Sequence, residues 1–310
     1  MQIGRSSVWL SLVIAVAAAV GIILVSQEHS DVQAGPMLKA HDGAASQPDE
    51  APPGNERATS SGRDEMPMPG AARVPVEDVA SRPLYFAEVK AAAMSGDPRA
   101  QRELSTIYGD CMAYSLSPQA YISTLDNFAA RNPGSAESIS SIKERRSQIC
   151  STVDEGQVIP FEAYSLWMNA AAESGDVVSQ IRRQVRSLER LSSEEYASYA
   201  DAAIESGDPR ALFELGDLLV RAPQDKGAGR YTDVSGTPYA GYAWGIVACK
   251  AGLPCGPGTP VMDSLCVNTG ACGYSSYEGF VFSELIPPAD RHKMDALIQE
   301  VERLVNEGSR

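Results

Sequence analysis

The chain has 310 residues, 44% of them hydrophobic, and a formal charge of −14 at pH 7. That composition supports one sizeable folded domain with appendages. From residue 80 onward 21 Lys and Arg stand against 30 Asp and Glu, so the folded part lacks the basic block that phosphate binding needs, and no nucleic-acid partner is expected.

Val8 to Val25 is a run of 18 residues without a charge, preceded by Arg5 and followed by Glu28 and Asp31. A run of that length spans a bilayer core of about 30 Å. Positive charge stays on the cytoplasmic side, which makes residues 1–26 a cytoplasmic tip with a transmembrane anchor and puts the rest outside, most simply in a bacterial periplasm. The alternative is a cleaved signal peptide, which would leave a secreted factor. Its apolar region is shorter, about 7–15 residues, and ends on a small-x-small site; Val32-Gln33-Ala34 is a distant match. Residues 27–82 read as a disordered linker. Gln27 to Ala80 holds seven prolines and five glycines, and no aromatic residue falls between Trp9 and Tyr85, so too little apolar surface is available to offset the entropy of ordering.

Residues 83–310 read as an all-α domain. Leu84 to Ser95 forms a helix stopped by Gly96, and Asp97-Pro98 opens the next, which carries Ala100, Leu104, Ile107 and Tyr108. Ser117-Pro118 opens a helix to about Arg131. The turn Asn132-Pro133-Gly134-Ser135 leads into another that ends near Cys150. Ser192 with Glu195 forms a capping box, and Asp208-Pro209 and Thr237-Pro238 open two further helices. A last helix runs from about Pro288 to Asn306, with Met294, Leu297, Val301 and Leu304 on one face. Arg182, Arg183, Arg186 and Arg190 lie at helical spacing and read as a solvated face.

Four glycines share one frame. Gly96, Gly175, Gly207 and Gly252 have Ala92, Ala171, Ala203 and Ala248 four residues before them. Eight before stand Glu88, Trp167, Tyr199 and Trp244. Asp97, Asp176 and Asp208 follow three of the glycines and read as helix caps, each committed to its own helix start. Gly134 marks an irregular hairpin between the first two frames. This register, with Ala211, Leu215 and Gly216 after Gly207, resembles the Sel-one-like class of tetratricopeptide-related repeats over residues 85–256. The resemblance implies four or five α-α hairpins, with small residues where antiparallel helices approach and an aromatic filling the gap to the next hairpin. It also implies an adaptor that binds a protein or peptide.

Six cysteines in an exported chain point to disulfides. Cys111 and Cys150 would clamp the irregular hairpin onto the first repeat. In the unit 249–272, antiparallel helices would pair Cys249 with Cys266 and Cys255 with Cys272; the local pairing Cys249–Cys255 and Cys266–Cys272 is the alternative. Zinc is disfavoured, because the spacing is wider than C-x2–4-C.

No catalytic residue, metal ligand or cofactor site is assigned. His292 is the one histidine in the folded part, too few for an H-E-x-x-H site. Ser140-Ser141-Ile142-Lys143 matches Ser-x-x-Lys without its companion motifs. Glu194-Glu195 reads as a helix start and Asp154-Glu155 as a solvated turn. An envelope enzyme, such as a cell-wall hydrolase using two carboxylates, is the alternative to a binding module and needs facing acids with a raised pKa.

Overall fold

The computed structural model describes residues 82–187, 189–223 and 227–308, which lie within one compact unit, Ala71–Arg310. The 8–25 anchor and all of the linker but its last residue lie outside the described residues. Among the described residues no helix is long and apolar enough to cross a membrane.

Twelve α-helices and no strand occur among the described residues. Eight of them form four antiparallel hairpins: α1 (Arg82–Met94) with α2 (Pro98–Leu116), α3 (Pro118–Arg131) with α4 (Ala136–Cys150), α5 (Ala163–Glu173) with α6 (Val177–Arg186), and α7 (Ser193–Glu205) with α8 (Pro209–Leu219). Then follow α9 (Pro238–Lys250), α10 (Pro260–Thr269), the short α11 (Tyr277–Phe280) running into a π turn (Val281–Leu285), and α12 (Arg291–Gly308).

The frame glycines end α1, α5, α7 and α9 in the left-handed region, with φ of 95°, 92°, 63° and 110° at Gly96, Gly175, Gly207 and Gly252. No heavy atom lies within 4 Å of a Cβ placed on any of the four, so backbone conformation, not crowding, calls for glycine. Gly96 N–H donates to the Ala93 carbonyl and Asp97 N–H to the Ala92 carbonyl, both at 3.1 Å. Gly175 and Gly252 repeat the pair, with Asp176 N–H on Ala171 O at 2.9 Å and Leu253 N–H on Ala248 O at 3.0 Å. These are Schellman closures. At Gly207 the second bond is replaced: Asp208 N–H donates to Ser206 Oγ at 3.1 Å.

The first hairpin meets the third through α2 on α5, the third meets the fourth through α6 on α8, and α8 packs on α9. The α8–α9 crossing is set by two glycines. A Cβ on Gly216 would lie 2.7 Å from the Gly241 carbonyl oxygen, and one on Gly241 would lie 2.5 Å from Val220 Cγ2. Beside that crossing Trp244 is fully buried and its indole N–H donates to Val234 O at 2.9 Å.

The interior has separate clusters. Leu215, Leu219, Tyr231, Trp244, Met294 and Val301 belong to the large core of the C-terminal half. Phe86, Leu104, Tyr108 and Ile159 form the core of the first hairpin, together with the buried disulfide Cys111–Cys150. Leu125, Ile139 and Ile142 of the α3/α4 hairpin meet Cys266 of α10 in a third.

That last cluster corrects the expectation for the unit around Gly252. α10 does not fold back on α9 as a hairpin partner. It packs on α4, and the main partners of α9 are α8 and α12. Cys249 and Cys266 therefore do not face each other. The disulfides are the local ones, Cys249–Cys255 and Cys266–Cys272. No cysteine is free, an arrangement suited to an oxidising compartment outside the cytoplasm.

Candidate functional site

The contact of α4 with α10 brings segments more than a hundred residues apart around two pockets that share Arg145, Gly258 and Asp263 in their linings. One is about 350 Å³; the other, a lobe of about 300 Å³ and the more apolar, is also lined by residues of α1 and α2. Phe86, Ile107, Ile149, Val153 and Pro260 give this lobe its apolar lining. Ile149 is 38% exposed, which opens the lobe to solvent.

Six charged groups line the same lobe. Arg145 of α4 holds Asp263 of α10 with both ends of its guanidinium, Nη2 to Oδ1 at 2.6 Å and Nε to Oδ2 at 3.3 Å. Arg146 pairs with Asp110 of α2 at 2.7 Å. Burial penalises the Arg146 charge, but the adjacent Asp110 carboxylate, together with Tyr121 and Asp263, outweighs that and raises its pKa. Glu103 accepts a hydrogen bond from the Tyr85 hydroxyl at 3.1 Å. Burial, with Glu103's charge and hydrogen bond, pushes the Tyr85 phenol up, so it stays a donor. Arg210, in the first turn of α8, is half-buried. Neither Glu103 nor Arg210 has an ion-pair partner among the described residues.

Behind the cavity, α2, α6 and α8 are joined by a polar seam. Arg102 Nη1 reaches Asp208 Oδ2 at 2.7 Å and Asp176 Oδ1 at 3.1 Å. The other oxygen of each carboxylate caps its helix, Asp176 Oδ2 on Ser179 N–H at 2.8 Å and Asp208 Oδ1 on Arg210 N–H at 2.9 Å. Asp97 accepts from Ala100 N–H at 2.7 Å. The expectation that each aspartate serves its own helix alone is thus too narrow: two caps share one arginine. One turn along, Arg182 binds Glu214 through Nη2 at 2.7 Å and Thr106 through Nη1 at 3.1 Å. This corrects the solvated-face reading for Arg182, which is an internal tie. Arg183, Arg186 and Arg190 are exposed, Arg186 standing over the Tyr164 ring at 5.0 Å, and Arg190 lies beyond the end of α6.

Most alanines and aromatics of the glycine frame pack inside the fold. Ala171, Ala203 and Ala248 are wholly buried, and Ala92 is half-buried. Trp167 packs on the first core and Tyr199 on the C-terminal one. Lys143 pairs with Asp126, and His292 is exposed. Asp154 is not a merely solvated turn residue. It pairs with Lys90, and it and Glu155 adopt φ of 45° and 59°. Among the described residues no cluster of His, Cys, Asp or Glu could hold a metal ion. Sequence reading missed Arg102, Arg210 and Glu103 altogether. The one signal for them was position: Glu103 and Arg102 lie on the half-buried flank of an amphipathic helix.

No family model, curated protein or solved structure matches the chain.

Proposed function

We propose that the chain is a membrane-tethered, extracytoplasmic helical-repeat protein that receives a peptide, or a segment of a protein partner, in the cavity between α1, α2, α4 and α10. One observation carries this reading: an open, apolar-lined lobe of about 300 Å³ with charged groups around it, assembled from four parts of the chain distant in sequence. Such a lining buries apolar side chains while a few polar groups fix orientation. The glycine frame, its Schellman closures and the small-residue crossing of α8 and α9 support the Sel-one-like, tetratricopeptide-related type of array. The three disulfides and the uncharged run 8–25 support a domain held outside the cytoplasm by an anchor.

A carboxylate-using hydrolase is the weaker reading. It needs two acids free to work together, and two of the three carboxylates in this lobe, Asp110 and Asp263, are in ion pairs.

The test is site-specific photo-crosslinking in intact membranes from the full chain, with the photoreactive residue in place of Ile149 inside the lobe. Met94, 72% exposed and not part of the lining, serves as control. A discrete adduct from position 149 and none from 94 supports the reading. No adduct from 149 beyond the control removes it.

A further inference from the structure

We infer that the lobe takes a small apolar zwitterion, a dipeptide or amino acid with both ends free, its ammonium against Glu103 and its carboxylate against Arg210. This rests on the peptide-binding reading and narrows it. The argument is one of charge balance. Six charges line the lobe, three of each sign. Arg145–Asp263 and Arg146–Asp110 neutralise each other directly. What is left is one carboxylate, Glu103, and one guanidinium, Arg210. Glu103 has one oxygen occupied by the Tyr85 hydroxyl, and a carboxylate can accept several more bonds. Arg210 is a planar five-donor fork suited to a carboxylate.

A simple anion would meet Arg210 but be repelled by Glu103, and a simple cation the reverse. A ligand with one charge of each sign satisfies both, and half-buried unpaired charges gain most from being satisfied. In the same lining Phe86, Ile107 and Ile149 offer aromatic and branched aliphatic surface, which selects apolar side chains. A volume of about 300 Å³ lies at the lower end of small-ligand sites, so it limits the occupant to one or two residues and leaves no room for the interior of a folded partner. The anchors lie on separate hairpins, Glu103 on α2 and Arg210 on α8, so such a ligand would also tie the first hairpin to the fourth.

The experiment is calorimetric titration of the full chain in detergent micelles with Leu-Leu and L-leucine, and with Leu-Leu blocked at its N-terminus, at its C-terminus, or at both. Leu-Leu or leucine with free ends is expected to bind. Blocking either end should weaken binding about tenfold or more, equivalent to about 1.4 kcal/mol. E103Q should erase the penalty for N-terminal acetylation alone, and R210Q the penalty for C-terminal amidation alone. Because the blocked ligands are compared on the unaltered protein, the result does not depend on either variant folding. Doubly blocked Leu-Leu binding as tightly as the free form overturns the zwitterion while leaving a peptide site standing. Absence of binding by every form also overturns it, and the crosslink from position 149 then decides separately whether the peptide-binding reading survives. Penalties that persist unchanged in folded E103Q and R210Q overturn the assignment of these two anchors.

Discussion

Arg102 holds the hairpin stack together in a way that one substitution exposes. Its side chain is 16% exposed, and it lies between Asp176 at 6% and Asp208 at 26%. In Arg102→Ala both carboxylates keep one capping hydrogen bond, to Ser179 N–H and Arg210 N–H, but lose their common cation. Removing one partner of a buried ion pair costs about 3–5 kcal/mol. Solvent reaches Asp208, so the lower end applies, about 3 kcal/mol. For a folded unit of this size 1 kcal/mol moves the melting midpoint by about 2–4 °C, giving a fall of roughly 6–12 °C. The assay is thermal unfolding of the full chain followed by far-UV circular dichroism. The triple variant R102A/D176N/D208N separates lost charge from lost cap. Asparagine caps a helix about as well as aspartate, so the triple variant should regain part of the lost midpoint. An R102A midpoint within about 2 °C of the parent, or a triple variant less stable than R102A, would refute the shared-cation account.

Gly216→Ala places a Cβ 2.7 Å from a backbone carbonyl and should destabilise by about 1–3 kcal/mol in urea unfolding; an unchanged midpoint means the α8–α9 crossing can relax. Glu155→Gly, at φ 59°, should stabilise by about 0.5–1 kcal/mol, the relief of a left-handed non-glycine residue less the entropy that glycine adds to the unfolded chain. Cys111→Ser with Cys150→Ser removes a buried disulfide between cysteines 39 residues apart and should cost about 2–4 kcal/mol, read as a shift in the urea midpoint. Asp217 keeps part of its surface in water, yet burial by its surroundings and then the nearby Glu214 charge raise its carboxyl pKa. A raised folded-state pKa favours folding while the group is protonated, below the unfolded value near about 4, and that contribution is lost as pH rises through the folded value. Asp217→Asn should therefore be more stable than the parent at about pH 7 and indistinguishable from it at about pH 3; a loss of stability at neutral pH contradicts the shift.

What was legible in the sequence is what local chemistry decides. A Schellman turn needs glycine at one position and closes on carbonyls three and four residues back, so Gly96, Gly175 and Gly252 with their alanines announce helix ends by themselves. Ser117-Pro118, Thr237-Pro238 and the Ser192–Glu195 box work the same way. What was not legible depends on where a helix goes after its turn. Cys249 gives no hint that α10 will leave α9 for α4, and with that contact the disulfide pairing changes. Arg182 looks like any surface arginine until α8 brings Glu214 beside it, 32 residues away in the chain. Arg102 goes unmarked for the same reason, its two partners being the caps of other hairpins. The cavity is harder still. Glu103 and Arg210 are 107 positions apart (210 minus 103), and nothing local marks either as lining a pocket.

The salt bridge from Arg145 to Asp263 has a consequence for how such a molecule can change over generations. An open stack of hairpins tolerates duplication or loss of a unit, because every interface is between neighbours. Here a side chain early in the array grips one near its end, so adding or deleting a hairpin between them would pull the pair apart and break the cavity wall. The fold therefore resists a change in the number of hairpins between Arg145 and Asp263, while the side chains that line the lobe remain free to vary.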